Sequence, residues 1–435
     1  MNYHTLSGNQ KAIKMLQNVS AGALQTKGDT PVIAVVDSTG NKTIVNNMVG
    51  GIRSKGGVAH VFGVPNYGYL NKINPLTSKY NQSISLQSAT TMESIIKTNM
   101  VDGVVIVAEC EVVASGLMMG ALRANCPMLV CSVGFNPDFD TMVLKHGGMT
   151  VAGTTKTKLE DLCLTAKPLA GYPKDDVTHG FFSVLEKIGF AVENSNCPCY
   201  SGAQTDAAYR TGVSVVALAK DLISPKRNLT KESYALAVET TLTNGLSVDC
   251  LHYLKPLYKL CDVKTPHDLV ESIGKKVGST PPVVLCRGTA CTNGGYVMVT
   301  DGMEQKFTGK AWVYHTIADA DAALSQGTIP PNSIVVVFAP NQDIGSIVYT
   351  IHGLGMQKNI AVVTDGLCGV RGVMVVSGCT PNSYVGEDFA NIQTGDALDI
   401  NLATGRFNTS VPAKDMKARI KKNTPKKIQL YFQGV

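Results

Sequence analysis

The chain has 435 residues, of which 44% are hydrophobic and 17% are charged. This is the composition of a soluble globular protein, and the length allows two or three domains with a large core. No stretch approaches the roughly 18 consecutive apolar residues that a membrane span needs, and the first residues lack the pattern of a secretory signal. The 12 cysteines fall mostly in apolar stretches, which favours a reduced, cytoplasmic protein over a disulfide framework.

The formal net charge of +6 is concentrated near the carboxyl terminus. Residues 414–427 contain seven Lys or Arg and one acid, so this segment accounts for the whole excess. A basic stretch this short is typical of a solvated tail or last helix, and we expect neither a nucleic-acid partner nor a membrane partner. Residues 430–434 (LYFQG) resemble a protease-site remnant left from protein expression and carry no functional weight.

The first third of the chain alternates between short apolar runs and helical patterns. The predicted strands lie at 30–36, 59–64, 104–107 and 128–131, with predicted helices at 9–24, 43–54 and 114–124 and a loop at 66–81. Short, continuous, β-branched runs are typical of strands buried on both faces of a sheet. The alternation therefore predicts an α/β fold with an open, doubly wound, mostly parallel sheet.

Polar residues stand where two of these strands end. Asp37 follows the first strand, and the triplet Glu109-Cys110-Glu111 follows the strand at 104–107. Residues just past the carboxyl end of a parallel strand face the crevice where ligands bind, so Cys110 and Glu111 are candidate site residues. The alternative is that Cys110 is a small buried hydrophobe and Glu111 a solvated acid at a helix start.

The rest of the chain changes character twice. Helical patterns at 181–188, 207–222, 231–243 and 265–277 follow, with Thr230 as a candidate N-cap, and the C-x-C pair at 197–199 lacks a second pair that would indicate zinc. Short strands are then predicted at 283–286, 296–300, 311–315, 333–338, 360–364 and 373–376, which indicates a barrel or sandwich. The predicted domains are 1–280 (α/β), 281–413 (β-barrel) and 414–435 (basic tail).

Several motifs together resemble the family of dihydroxy-acid and phosphogluconate dehydratases. Residues 364–372 (TDGLCGVRG) resemble the signature T-D-G-x-F-S-G-x-x-R-G, and residues 108–127 (AECEVVASGLMMGALRANCP) resemble G-G-C-D-K-x-x-P-G-x-x-M-A-x-x-R-L-N-x-P. Further similarities to family segments lie at 243–252, 286–290, 377–381 and 394–400. The resemblance covers most of the chain in colinear order.

This resemblance implies an amino-terminal α/β domain, a carboxyl-terminal β-barrel, an active site between them, and a homodimer or higher homo-oligomer. Family members dehydrate a 2,3-dihydroxy acid to a 2-keto acid. In them an iron–sulfur cluster acts as Lewis acid on the leaving hydroxyl, Mg²⁺ holds the substrate, and a serine alkoxide removes the C2 proton.

The chain departs from the family at the cluster ligands. Three cysteines hold the cluster in the family, and Cys110 alone has a counterpart here. The first should lie near Asp37 and the third near 172–176, where the chain reads YPKDD. One cysteine cannot hold a thiolate-bound cluster, so we predict that the cluster is absent or atypical unless Asp37 or Asp175 substitutes.

The magnesium and base positions also differ. Glu111 and Val112 replace the family's Asp and Lys, which leaves Glu111 and Asp37 as the predicted ligands of a divalent metal such as Mg²⁺. The serine base aligns with Cys368, whose thiol could act as base or nucleophile with Arg371 nearby to lower its pKa. The alternative is that Cys368 is a small residue tolerated where catalysis has lapsed.

Two hypotheses follow. The first is a divergent hydro-lyase acting on a small hydroxy acid or sugar acid, with Cys368 approaching Cys110 and Glu111 across the domain interface. The second is a family member without dehydratase activity that has a binding, regulatory or structural assembly role. The fold is common to both, so it cannot separate them.

Overall fold

The computed structural model describes residues 30–65, 67, 78–136, 172, 176–266, 272–273 and 283–422. The chain divides into two compact units, of which the first takes in the described residues up to 265 except 78–79, and the second takes in 78–79 and those from 266 on. The predicted helix at 9–24, most of the predicted helix at 265–277, most of the loop at 66–81, Asp175 and the tail beyond 422 lie outside the described residues. The predicted boundary near 280 also falls there and stays a prediction.

The first unit is built on a four-stranded parallel sheet in the order β2-β1-β3-β4. The strands are β1 (Val32–Asp37), β2 (Val58–Gly63), β3 (Gly103–Ala108) and β4 (Met128–Ser132). Every residue of β3 and β4 is buried, because helices cover both faces of a sheet of this kind. The predicted α/β class and all four predicted strands are confirmed.

Seven helices of the first unit are described. They are α1 (Lys42–Ser54), α2 (Asn81–Asn99), α3 (Glu111–Arg123), α4 (Val177–Lys187), α5 (Gly202–Lys220), α6 (Lys231–Thr243) and α7 (Cys250–Lys259). The predicted N-cap at Thr230 is confirmed, since its hydroxyl accepts the Ser233 N–H in a capping box that opens α6. Helices α2 and α7 were not predicted.

Close packing of α2 against α3 explains how a polar helix is fixed in place. A Cβ on Gly116 would come within 2.3 Å of the Ser85 carbonyl oxygen, and one on Gly120 within 2.2 Å of the Ala89 carbonyl oxygen. The two glycines therefore allow the helix backbones to approach closely. Helix α3 is buried from Glu111 through Leu122, which places the strand-end triplet at the head of a central helix.

The second unit is a closed eight-stranded barrel of mixed direction in the order β10-β6-β5-β12-β11-β7-β8-β9. Its strands are β5 (Val283–Gly288), β6 (Cys291–Met298), β7 (Lys306–Tyr314), β8 (Ser333–Val337), β9 (Ile360–Thr364), β10 (Val375–Thr380), β11 (Ala397–Asn401) and β12 (Arg406–Thr409). The predicted barrel is confirmed, and the sandwich alternative is wrong. Closure removes every exposed sheet edge from the barrel.

Helices α8 (Ile317–Ser325), α9 (Gly345–Gly353) and α10 (Ala413–Lys422) belong to the second unit. Helix α10 covers the start of the basic segment that was predicted as a tail or last helix, whereas α8, α9 and strands β11 and β12 were not predicted. Two apolar clusters hold the unit together. One joins residues of the barrel strands and includes Phe307, Val336 and Phe407, whereas the other includes α8, α9 and residues of β8 and β9. None of the helices in the described part of the chain is long and apolar enough to cross a membrane.

Candidate functional site

The carboxyl edge of the parallel sheet brings two predicted site regions together. Strands β1 and β3 are neighbours, and the Ser38 amide and hydroxyl both donate to the Val107 carbonyl oxygen at 3.0 Å. The turn that follows β1 therefore lies directly beside the end of β3. Asp37 and the triplet Glu109-Cys110-Glu111 thus share one edge of the sheet, as the strand pattern predicted.

Asp37 is held by its own turn. One carboxylate oxygen accepts the Thr39 amide at 2.8 Å and the Thr39 hydroxyl at 2.7 Å, and the other accepts the Gly40 amide at 3.1 Å. Hydrogen bonds of this local kind set the shape of an Asx turn. Asp37 therefore shapes the β1–α1 turn, and any metal would have to compete with these three donors.

Cys110 occupies the N-cap position of α3 with an extended backbone conformation. Its side chain is 2% exposed, and its thiol donates to the Tyr67 carbonyl oxygen at 3.0 Å. The structure thus agrees with the alternative interpretation that Cys110 is a small buried residue. The same placement puts a thiol at the head of a helix and at the end of a central strand, where ligand chemistry is usually located.

Glu111 is a buried carboxylate in the first turn of α3. Its side chain is 0% exposed, and one of its oxygens accepts the Thr178 hydroxyl at 2.6 Å. The alternative interpretation of Glu111 as a solvated helix-start acid is therefore wrong. Buried carboxylates need hydrogen-bond donors, and here the first turn of α4 supplies one.

Glu109 is the residue at this edge that the sequence analysis did not select. It is half-buried, and burial raises its pKa from 4.5 to about 7. Its charge in turn raises the pKa values of Cys199 and Tyr200, in each case behind the larger effect of burial. Cys199 lies here because its amide donates to the Phe135 carbonyl oxygen at 2.8 Å, just beyond β4. A charged triplet after a buried strand was the sequence signal for Glu109.

In the barrel unit the signature segment follows β9. Asp365 accepts the Ala339 amide at 2.8 Å and both the amide and the hydroxyl of Ser383 at 2.7 Å. Burial raises the pKa of Asp365, and the Ser383 and Ala339 hydrogen bonds oppose this shift. Asp365 therefore ties together the segments that follow β8, β9 and β10.

Cys368 is 1% exposed and belongs to the apolar cluster that includes α8 and α9. Its thiol donates to the Val370 carbonyl oxygen at 3.4 Å. A separate cavity of about 610 Å³ in this unit is lined by Phe307, His352, Met374 and their neighbours, and Cys368 is not among its lining residues. The surroundings of Cys368 within the barrel unit are those of a packed small residue.

In the part of the chain that the structure describes, no set of several thiolates is arranged around Cys110. The stretch after β1 offers Asp37 with its oxygens already hydrogen-bonded, and Glu111 is enclosed beside Thr178. Among the described residues no group of three or more His, Cys, Asp or Glu side chains is arranged to hold a metal ion. A cluster needs several thiolates, so no catalytic step is assigned to one.

The fold and these residues define an α/β protein with a carboxylate- and thiol-bearing sheet edge and an eight-stranded barrel. Residues 35–285 match the amino-terminal domain of dihydroxy-acid/6-phosphogluconate dehydratases, and residues 268–435 match the carboxyl-terminal domain. The chain belongs to this family.

Curated relatives match at low identity along most of their length. The dihydroxy-acid dehydratase of Endomicrobium trichonymphae is 23% identical over 86% of this chain and 84% of its own length. That of Thermodesulfovibrio yellowstonii is 22% identical over 87% and 85%, and that of Methanococcus aeolicus is 23% identical over 76% of each. The chain is thus similar to these enzymes over most of its own length and most of theirs.

Proposed function

We propose that the protein is a hydro-lyase that converts a small 2,3-dihydroxy acid or sugar acid into the corresponding 2-keto acid without the ordinary iron–sulfur site. The match of both halves of the chain to one dehydratase family carries this proposal. In the reaction the C2 proton and the C3 hydroxyl leave as water, and the resulting enol tautomerises to the ketone. The protein is proposed to work in the cytoplasm as a homodimer or higher homo-oligomer.

In this proposal Cys368 takes the place of the family's serine base and removes the C2 proton. Cys110, Glu111 and Asp37 belong to the substrate-binding edge, with a divalent metal such as Mg²⁺ as the candidate cofactor. The positions of these residues support the roles. Asp37, Cys110 and Glu111 lie at one edge of the sheet, and Cys368 lies in the segment that resembles the family signature. The hydrogen bonds at Asp37 and the burial of Glu111 require that these side chains rearrange before either binds a metal.

A second candidate is a family member without dehydratase activity, kept as a binding, regulatory or assembly component. The packing of Cys368 favours it, because a thiol that is 1% exposed among apolar side chains has the environment of a core residue. A thiol in such surroundings is ordinarily inert. The two candidates make different predictions for purified protein.

The deciding experiment measures turnover on a panel of 2,3-dihydroxy acids and sugar acids, with and without added Mg²⁺, using protein purified without oxygen. Iron, labile sulfide and the visible spectrum are measured on the same sample. We expect 2-keto acid to form without stoichiometric iron. A spectrum with sulfide-to-iron bands and matching iron would overturn the cluster-free part of the proposal.

Variants of Cys368 test its role in the same assay. A general base contributes about 10²–10⁴-fold to rate, so Cys368→Ala should lose at least that much, and Cys368→Ser should retain more activity than Ala. The matched control is Cys126→Ala, which changes a buried cysteine of the sheet unit rather than of the barrel unit. Equal turnover in the wild type and Cys368→Ala would remove Cys368 from the reaction, and no turnover in any protein would leave the non-catalytic candidate as the better one.

A further inference from the structure

A cavity of about 610 Å³ lies at one end of the barrel, and none of the residues assigned to the proposed reaction lines it. Strands β7, β8, β9 and β10 are parallel neighbours, so their amino ends meet at one end of the barrel. Among the lining residues, Phe307 is the second residue of β7, Asn359 directly precedes β9, and Met374 directly precedes β10. Asp365 follows the carboxyl end of β9 and therefore lies at the opposite end of these strands.

Two loops form the charged rim of the cavity. The loop between β6 and β7 contributes Asp301 and Glu304, and the loop between α9 and β9 contributes Lys358. All three residues are exposed, and none of them makes a salt bridge in the part of the chain that the structure describes. The rim therefore offers two carboxylates from one loop and one ammonium group from the other to a ligand.

His352 is a fixed part of the cavity wall. Its Nε2–H donates to the Arg371 carbonyl oxygen at 3.0 Å, and its Nδ1 accepts from the side-chain amide of Gln357 at 3.0 Å. Because a carbonyl can only accept and an amide nitrogen can only donate, the ring carries its proton on Nε2. Gly372 packs against this ring, since a Cβ there would lie 2.7 Å from two ring atoms. His352 thus holds the wall together, and the charge of the cavity comes from the three rim residues.

The floor of the cavity is apolar. Phe307 is 9% exposed and Met374 is 4% exposed, and both belong to the apolar cluster of the barrel strands. Met303 also lines the cavity and packs against the same cluster. Aromatic rings and thioethers both make favourable contacts with an aromatic group. A ligand that fits this cavity is therefore expected to carry a ring in addition to its charges.

We propose that the cavity binds a small zwitterion of the α-amino-acid class with an aromatic side chain. The ammonium group of the ligand faces Asp301 and Glu304, its carboxylate faces Lys358, and its ring lies on the apolar floor. The volume of the cavity is within the range of roughly 300–1,000 Å³ that is typical of small-molecule sites. Because the rim charges are exposed, each ion pair contributes little, and we expect a dissociation constant of about 1 mM. The inference does not rest on the proposed dehydratase activity.

Four small probes separate the three features of the ligand. Saturation-transfer NMR with the full-length protein compares L-phenylalanine with phenethylamine, which lacks the carboxylate, with 3-phenylpropionate, which lacks the ammonium group, and with glycine, which lacks the ring. We expect L-phenylalanine to bind most tightly and phenethylamine to bind about 2–5-fold more weakly. Phenylpropionate should bind more weakly than phenethylamine, because it meets two carboxylates and one ammonium group. Glycine should show no binding at concentrations that saturate the L-phenylalanine signal.

Substitutions at exposed rim residues test where the ligand binds. Glu304→Gln should weaken binding of L-phenylalanine and phenethylamine by about 2–5-fold, and it should not weaken binding of phenylpropionate. Lys358→Gln should weaken L-phenylalanine and phenylpropionate by a similar factor and should not weaken phenethylamine. The matched control is Lys310→Gln, which removes an exposed lysine of β7 that does not line the cavity. Circular dichroism checks that each variant is folded.

Absence of saturation transfer from the wild-type protein to L-phenylalanine, at concentrations well above the expected dissociation constant, would overturn the proposal. Binding of phenylpropionate or glycine as tight as that of L-phenylalanine would overturn the assigned ligand class. Binding of L-phenylalanine that neither Glu304→Gln nor Lys358→Gln weakens, or that Lys310→Gln weakens equally, would show that the cavity is not the site.

Discussion

Glu111 in the sheet unit and Asp365 in the barrel unit are both buried acids inside family motifs, yet they are held differently. Glu111 is 0% exposed and accepts the hydroxyl of Thr178, a side chain of the neighbouring helix α4. Asp365 accepts two backbone amides and one hydroxyl from the segments that follow β8 and β10. Glu111 thus joins helices α3 and α4 through a contact between side chains, whereas Asp365 holds the backbone of two loops in place.

The difference shows that a motif acid that accepts backbone amides has a structural role in addition to any role in catalysis. Backbone amides cannot be replaced by mutation, so an acid that satisfies them stays useful even where a catalytic base has changed. Cys368, three residues after Asp365, aligns with the family's serine in the motif resemblance described above. The signature segment therefore has a structural role in this chain, because the hydrogen bonds of Asp365 hold its loop in place.

The largest expected effect is that of Asp365→Ala. Removing the carboxylate leaves the Ala339 amide and the two Ser383 donors without their acceptor. We expect a loss of roughly 3–5 kcal/mol in the free energy of unfolding, measured by denaturant titration. Asp365→Asn is the matched control and should lose less stability, because its amide oxygen can still accept the donors that face one of the two carboxylate oxygens. An Ala variant as stable as Asn would show that the loop does not depend on these bonds.

Next in size is Glu111→Ala, which removes a fully buried side chain and leaves the Thr178 hydroxyl without this acceptor. We expect a loss of about 2–4 kcal/mol. Thr178→Val keeps the shape of the partner and should lose about 1–3 kcal/mol. The double variant should lose less than the sum, since both changes break one interaction. Strict additivity in the cycle would contradict a direct contribution from this hydrogen bond.

A third, smaller effect depends on pH. Burial raises the pKa of Asp321 from 3.8 to about 6, against the opposing hydrogen bond from the Thr350 hydroxyl at 2.5 Å. Between these pKa values the folded protein binds a proton that the unfolded chain releases, so this group's contribution to stability falls as pH rises through that window. Asp321→Asn cannot ionise. We therefore expect the difference in unfolding free energy between Asp321→Asn and the wild type to shift by about 1–2 kcal/mol in favour of the variant when the pH is raised from 3.5 to 7.5. Equal differences at the two pH values would remove the pKa shift as the cause.

The smallest effect concerns Cys368 as a packed residue. Cys368→Ala deletes one buried sulfur from the apolar cluster that includes α8 and α9, and we expect a loss of only about 1 kcal/mol in unfolding free energy. This value matters for the comparison because an activity loss in the same variant then cannot be attributed to unfolding. A loss above 3 kcal/mol would show that Cys368 supports the signature loop as strongly as Asp365 does.

Some strong local patterns were sufficient to predict elements of the fold. Strand β9 and helix α6 match their predicted ranges at both ends, because an apolar β-branched run and a helix opened by a capping box each fix structure locally. Helix α2 was missed because its sequence, NQSISLQSATTMESIIKTN, has few apolar residues. Close packing of α2 on Gly116 and Gly120 of α3 holds it instead. Strands β11 and β12 were missed because closure of the barrel pairs them with β7 and β5.

By itself, the sequence determined the α/β class, the barrel, the family and the position of Asp37, Cys110 and Glu111 at strand ends. These follow from short-range patterns and motif order, which are written along the chain. Only the tertiary structure decided that Glu111 is enclosed beside Thr178 and that Glu109 is half-buried near Cys199. Each of these contacts joins residues 67 to 90 positions apart, and burial and pKa depend on such distant neighbours, which no local pattern specifies.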